Sequence, residues 1–539
     1  MTTTRLRGGR VFDPVNACNG EVRDVAMRAG RIVALDGRER VDEEIDAQGC
    51  IVLAGGIDLH SHIGGGKVNI ARLLMAGHPC TPGTLATGYR YAEMGYTSVF
   101  EPAMAPSNAR HAHMEMGDVP IVDHGAYVML GNDEAFLELL SRGAQPEQLR
   151  DYVAWMVHAT KALGVKVVNP AGISAFKFNQ RRLDVDERHV HWQVSPRQVV
   201  AALARAVQEA GLAHPLHIHA SNLGAAGNIA STLATMDALD GLPGHLTHVQ
   251  FHCYGSEGPK KFSSAALQLA EALDAHPNCS IDIGQVLFGQ TVTASADTMR
   301  QHPMADLARP RKAVLADIEC EGGCGVLPFR YREQSYVNAL QWTIGLELFL
   351  RVRDPWRVVL TTDHPNGAPF TSYPHLMRLL MDKPFRDEQL ARLHPDVAAQ
   401  SALREIAREL SLHEIAIMTR AAPARLLGLR DRGHLAPGAA ADVAVYREQA
   451  DAEAMFTRAE WVFKDGEPVV RGGRVVATPV GATHFAVPAV DGGVQRLFAA
   501  RGDRPLGVHP RHAVIGEDEL CACCNGGRLF PWACAPRSL

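Results

Sequence analysis

Gly56-Ile57-Asp58-Leu59-His60-Ser61-His62 is the stretch on which the fold turns. It reads as a short strand ending in two histidines one residue apart. Side chains at i and i+2 project from the same face of a strand, so His60 and His62 point together. Neutral imidazoles aimed one way are common ligands of divalent cations. Alone, the pair also reads as a polar strand end.

From residue 56 onward, short apolar strands alternate with longer helical segments. Strand candidates are 98–100, 165–168, 216–219, 249–251, 280–283 and 358–360; helical patterns cover 86–94, 147–163, 196–210, 263–275 and 401–427. Such alternation predicts an α/β fold, a parallel (β/α)8 barrel of the TIM type. A doubly wound open sheet is the alternative, but no glycine-rich nucleotide turn supports it. Before residue 56 the pattern is short strands and turns, with a hairpin break at Gly30. Short strands return near the other end, at 442–446, 461–466 and 474–476. The expected organisation is a composite β domain from 1–55 and 431–484, a barrel over 56–430, and a cysteine-containing extension over 485–539.

The 539 residues carry a net charge of −5, with 46% hydrophobic and 21% charged residues. That is the composition of an ordinary globular protein, with no basic block to favour nucleic acid. No uninterrupted apolar run is long enough to span a membrane, and Met1-Thr2-Thr3-Thr4-Arg5 lacks a signal-peptide core. A cytoplasmic location follows as the expectation, and with it reduced thiols for the 11 cysteines.

Other chemistry-bearing residues fall at predicted strand ends in a definite order. Lys177 lies in the apolar run Ile173-Ser174-Ala175-Phe176-Lys177-Phe178, where a buried lysine is costly unless modified or paired. Carboxylation by carbon dioxide would make it an anion able to bridge two cations; a salt-bridged or snorkelling lysine is the plainer reading. His217 and His219 share one strand. His245, His248 and His252 share the next segment, so which histidine serves is open in both. Asp363 follows Val358-Val359-Leu360-Thr361-Thr362, at the end of a barrel strand where catalytic groups gather. Two divalent cations need about this many ligands, and a bound water would have its pKa lowered toward ~7. Asp363 would bind one cation and shuttle the proton.

The chain resembles the amidohydrolase superfamily in Asp58-Leu59-His60-Ser61-His62, in Thr419–Leu429 and in Pro437–Tyr446. Within it, it is similar to the catalytic A subunits of formylmethanofuran dehydrogenases and of the bacterial formyltransferase/hydrolase complexes. Ile63–Arg72, Thr87–Thr97, Ala109–His113, His248–Gly255, Gln341–Glu347 and Thr362–Thr371 carry that resemblance. It implies hydrolysis of an N-formyl group on a furan coenzyme to formate, inside a multisubunit complex. It also implies His60, His62, Lys177, His219, His248 and Asp363 as ligands of two metal ions, zinc being expected, with Lys177 carboxylated and Asp363 as general acid/base. The Ala220-Ser221-Asn222 that follows His219 favours it over His217; His248 is preferred to His252. The coenzyme's carboxylates would meet Lys67, Arg72, Arg90 and Arg110, since arginine binds carboxylates bidentately. Asn69, Asn222, His252 and Asn366 complete the expected substrate contacts.

Rival readings are a cyclic-amide hydrolase of the hydantoinase or dihydroorotase kind, the formate-condensing component of a redox enzyme, and a scaffold without metals. The complete ligand set argues against the scaffold, and the distinctive runs argue against cyclic amides. Cys521-Ala522-Cys523-Cys524 with Cys534 departs from paired zinc spacing and reads as plain thiols. Cys320 and Cys324 are ambiguous in the same way.

Overall fold

The computed structural model describes residues 2–35, 40–180, 182–294, 326–491, 493 and 513–535. Eight parallel strands form its centre: β1 (Gly56–Asp58), β2 (Tyr96–Met104), β3 (Asp123–Met129), β4 (Gly164–Val168), β5 (Leu216–His219), β6 (Gly244–Leu246), β7 (Cys279–Asp282) and β8 (Val358–Val359). Each pairs with the next in chain order. A bridge between Ser61 and His364 joins the last to the first, with the His62 N–H donating to the His364 carbonyl at 2.9 Å. This is the barrel that the alternation predicts. The absent side chain of Gly56 lets β1 and β2 approach, since a Cβ there would lie 2.7 Å from the Tyr96 ring.

The connecting helices follow local rules. In Pro196–Glu209, Ser195 accepts the Gln198 N–H, the Gln198 side chain accepts the Ser195 N–H, and Pro196 opens the helix. Val199, Val200, Leu203, Ala206 and Val207 then bury one face.

Three expected elements differ. Residues 249–251 belong to a 3-10 turn, Val249–His252, because Asp282 accepts the His248 N–H at 2.9 Å and bends the chain after β6. The 401–427 helix is broken into Ala402–Arg404, Leu412–Ala416, a π turn at Ile417–Ala421 and Ala422–Leu427, with Ser411 and Glu414 forming a fresh capping box. The 173–178 run is helical, Gly172–Lys177, because the Asn132 side-chain carbonyl oxygen accepts the Ile173 and Ser174 N–H groups and starts a turn.

A nine-stranded sheet brings both halves of the chain together: Cys50–Ala54 runs parallel to Thr3–Asp13 on one side and antiparallel to Val443–Arg447 on the other. The hairpin at Ala29-Gly30 has both turn residues at positive φ, 52° and 76°, as a type I′ turn requires. Beneath the barrel, buried Asp123 meets Arg432 at 2.7 Å, Lys464 at 3.1 Å and His484 at 3.2 Å, and Lys464 also reaches Asp442 at 3.1 Å. Thr483–Val487 adds a parallel strand beside β3, and Leu529–Ala533 adds another beside it. Cys521 and Cys523 are half-buried on the helix Glu517–Cys523, and the buried Cys524 thiol accepts from the Thr483 hydroxyl at 2.9 Å. Cys320 and Cys324 lie outside the described residues. Among the described residues no helix is long and apolar enough to cross a membrane.

Candidate metal centre

The carboxyl ends of the eight strands deliver the site. His60 and His62 leave β1 fully buried, and Asp363 stands just past β8 with φ 51°, a left-handed conformation unusual outside glycine. The three converge: Asp363 Oδ1 lies 3.0 Å from His60 Nε2 and 3.3 Å from His62 Nε2. A second triad, His219, His248 and His252, abuts the first. Its ring centroids are 4.6, 5.0 and 5.3 Å apart, and His248 lies 5.7 Å from His60. In each triad, potential ligand atoms lie within 4.8 Å of one another. Gly284, at φ +63°, makes room for this convergence, since a Cβ there would fall 2.3 Å from that of His248.

The donor set fits divalent cations. His62 Nδ1 donates to Glu101 Oε1 at 2.8 Å, so the proton sits on Nδ1 and Nε2 carries a free lone pair. Glu101 is itself fixed, accepting the Ile63 and Gly64 N–H groups at 2.8 and 3.1 Å. His62 Nε2 and His248 Nδ1 are buried without a hydrogen-bond partner. An imidazole lone pair facing a carboxylate oxygen across 3.3 Å, with no proton between, calls for a cation there.

Burial acts to raise the Asp363 carboxyl, but His60, His62 and Lys67 outweigh it and hold it well below the usual carboxylate range. Burial pushes His219 and His248 well below the usual imidazole range, which keeps them neutral as ligands must be. His60 is the exception: burial and Lys166 lower it, yet Asp282 and Asp363 prevail and raise it. The carboxylates thus demand positive charge at this place.

Lys177 does not reach the cluster. It ends the helix Gly172–Lys177 on the exposed side, because helical rather than strand geometry turns it to solvent. The lysine at the centre is Lys166, in the middle of β4, with a relative exposure of 3%. Burial pushes its ammonium down to about 8, and it acts electrostatically on His60 and His219, one from each triad.

Of the expected substrate contacts, Lys67 and Asn69 are half-buried in the helix Gly66–Leu74, and Lys67 acts on Asp363, His219 and Lys166. Asn366 is buried, and its N–H donates to the Asp363 carbonyl at 2.6 Å. His252 joins the second triad. Arg72, Arg110 and Asn222 have partners of their own. Arg72 donates to the Ile63 and Pro82 carbonyls and pairs with Glu115 at 3.2 Å. Arg110 pairs with Glu519 of the extension, and Arg90 is exposed. Asn222 donates to Asp184 and Ser231 at 2.9 and 2.7 Å.

Lys166, Glu101 and Asp282 escape the strand-end search because they sit inside strands or amid apolar neighbours rather than in polar strand-end runs. Their common signal is a charged residue among apolar ones, as in Val165-Lys166-Val167-Val168, Val99-Phe100-Glu101 and Ile281-Asp282-Ile283. Across adjacent strands the register aligns Lys166, His217, His245 and Ser280, a polar row under the triads.

The profile of the amidohydrolase family matches residues 43–477. The chain belongs to the amidohydrolase family. The resemblance read in the His-x-His motif is thereby borne out. This amidohydrolase is 45% identical to the A component of the formyltransferase/hydrolase complex Fhc of Methylorubrum extorquens, over 96% of this chain and 99% of that one. It is 38% identical to protein FwdA of Methanocaldococcus jannaschii, over 89% and 90%. The X-ray crystal structure of FhcABCD from Methylorubrum extorquens, in complex with methylofuran, contains a chain that superposes with a TM-score of 0.92 at 43% identity, covering 99% of this chain and 100% of that one. The zinc-containing N-acyl-D-glutamate deacylase of Bordetella bronchiseptica, at 18% identity and a TM-score of 0.52, covers 88% and 98% and shares the fold.

Proposed function

We propose that this amidohydrolase is the hydrolytic component of a formyltransferase/hydrolase complex, cleaving the N-formyl group of a methylofuran-type coenzyme to formate and the free amine. The observation that carries the reading is the 45% identity to the A component of Fhc over 96% of the chain, together with the two buried triads. We infer that His60, His62, His219, His248, Asp363 and a carboxylated Lys166 hold two divalent cations, zinc suiting the imidazole and carboxylate donors. Bound there, such a pair supplies Lewis acidity and lowers the pKa of a coordinated water toward ~7.

The residues of the chain do the rest. Asp363 takes the proton of the attacking water on its carboxylate and returns it to the leaving nitrogen as the amide C–N bond breaks. His60 and His62 face that carboxylate at 3.0 and 3.3 Å, so that one cation would be shared by all three, and Glu101 keeps His62 in the ligand tautomer. Lys67, at the mouth, pairs with a carboxylate of the coenzyme or of the formate product. Burial of both triads excludes bulk water and strengthens each of these interactions.

The test is formate release from the formylated furan coenzyme by the full-length chain, purified with its partner subunits, alongside metal analysis. Formate release with two cations per chain is expected. Intact metal without formate, or turnover of hydantoins instead, would overturn the reading.

A further inference from the structure

Asp282 contacts more of the site's framework than any function assigned above uses. It is fully buried on β7, and its two oxygens face different ways. Oδ1 accepts the His248 N–H at 2.9 Å and the Thr361 hydroxyl at 2.8 Å. Oδ2 lies 3.3 Å from His60 Nδ1 and 3.2 Å from His245 Nε2. One carboxylate therefore ties together the chain at His60 after β1, at His248 after β6 and at Thr361 after β8, two residues before Asp363.

The His60 edge admits two hydrogen-bonding arrangements. His217 Nε2 is 2.9 Å from His60 Nδ1 and the Thr247 hydroxyl is also in contact; either is able to give or to take a proton. With those neighbours alone, His60 would be free to carry its proton on Nε2, the nitrogen that faces Asp363. A carboxylate accepts, so with a cation between Nε2 and Asp363 the proton would sit on Nδ1, where Asp282 Oδ2, 3.3 Å away, would receive it. The arrangement matches the one at the neighbouring ligand, where Glu101 accepts from His62 Nδ1. The row below helps to hold Asp282 in place. His245 Nδ1 is 2.8 Å from the Ser280 hydroxyl, and His217 Nδ1 is 3.0 Å from His214 Nε2.

We infer that Asp282 is a positioning residue of the metal centre: it locks His60 in the Nδ1–H tautomer and sets the spacing of His60, His248 and the strand leading to Asp363. The inference rests on the metal-centre reading above. Partners of this kind behind a ligand histidine typically change metal affinity about 10- to 100-fold.

The experiment compares wild type, Asp282→Asn and Thr361→Val as full-length chains purified with their partner subunits. Metal per chain is measured against graded chelator, and the visible spectrum is recorded after cobalt substitution. Asp282→Asn keeps the shape but presents an amide that also donates, so one of the two cations should be lost at about 10- to 100-fold lower chelator, with an altered cobalt spectrum. Thr361→Val removes one of the two Oδ1 contacts, together with the acceptor of the Gly284 N–H, and leaves the Oδ2 edge facing His60 in place, so its affinity should stay within a few-fold of wild type. Near-UV circular dichroism shows whether each variant is folded.

A readout on wild type needs no variant. In the cobalt-loaded protein, ligand imidazoles whose Nδ1–H is held on a buried carboxylate should give at least two paramagnetically shifted protons that exchange slowly with D2O, from His60 and His62. A folded Asp282→Asn with unchanged affinity and spectrum would overturn the inference, as would fewer than two such protons in wild type. Binding of a third cobalt equivalent, lost in Asp282→Asn, would overturn it too by making Asp282 a ligand. Wild type that binds no cation would overturn the metal-centre reading itself, a distinct result.

Discussion

Exchanging the lysine that strand periodicity suggests for the one that the barrel encloses gives a sharp prediction. Burial pushes the Lys166 ammonium from 10.5 to about 8. At pH 7 the uncharged amine is then ~1 in 10 of the population, against ~1 in 3,000 for an unperturbed lysine, a roughly 300-fold enrichment of the form that adds carbon dioxide. Lys177 is exposed, at the end of its helix. Lys166→Ala should therefore lose at least one cation per chain and about 10³-fold in kcat/KM, the ~4 kcal/mol expected when Lewis-acid assistance is withdrawn. Lys177→Ala should fall within about 2-fold of wild type, as surface substitutions do. Formate release and metal per chain are the assays. Protein stripped of metal and carbon dioxide should also regain activity, with metal and a fixed concentration of dissolved carbon dioxide, about 5-fold faster at pH 8 than at pH 7, as the neutral fraction climbs from ~0.1 to ~0.5. The reasoning fails if Lys177→Ala is the inactive variant, if Lys166→Ala keeps two cations, or if reactivation is flat with pH.

Lys67→Met should raise KM about 10- to 100-fold through loss of a charge-assisted hydrogen bond worth ~1.5–3 kcal/mol, whereas Arg110→Ala, whose guanidinium is occupied by Glu519, should leave KM within about 2-fold; steady-state kinetics decides both. Arg432→Met should lower stability by about 3 kcal/mol, read as a lower urea midpoint, because it takes a cation from fully buried Asp123; an unchanged midpoint would show that Lys464 and His484 suffice. Burial holds His113 and His124 down to about 4 and His214 to about 3. Their folded values lie below the unfolded 6.5, so the stability they contribute is complete above about pH 6.5 and is withdrawn as pH falls toward 4, by up to roughly 3 kcal/mol each. The melting temperature should drop progressively below pH 6.5, and a flat profile between pH 7 and 5 would count against neutral buried rings.

The barrel was legible because strand and helix periods alternate over several hundred residues, and tertiary packing does not erase a pattern of that length. The His60–His62 pair was legible because the two-residue period of a strand acts directly on it. Lys177 was misplaced for a local reason: its run looks apolar and strand-like, but the side chain that starts the helix, Asn132, lies 41 residues upstream of Ile173. The partners of the arginines were not legible either. Sequence shows that Arg72 and Arg110 can bind carboxylates, and only the fold shows that Glu115 and Glu519 already supply them. The choice between His217 and His219 depends on depth within the barrel: His219 meets the second triad, while His217 lies one layer lower against His60 and His214.

The bridge from Ser61 to His364 has a consequence for how the chain assembles. It shuts a loop of about 300 residues, a closure whose entropic cost is roughly 5 kcal/mol, and few backbone contacts share it. The residues on either side of that bridge are His60, His62 and Asp363. A cation gripped by all three would act as a clasp on the barrel's own seam, so loading the centre and shutting the cylinder become one event. Stripping the cations should loosen the molecule first along this line, with amide exchange rising around residues 60–62 and 362–366 while the far wall of the barrel stays protected.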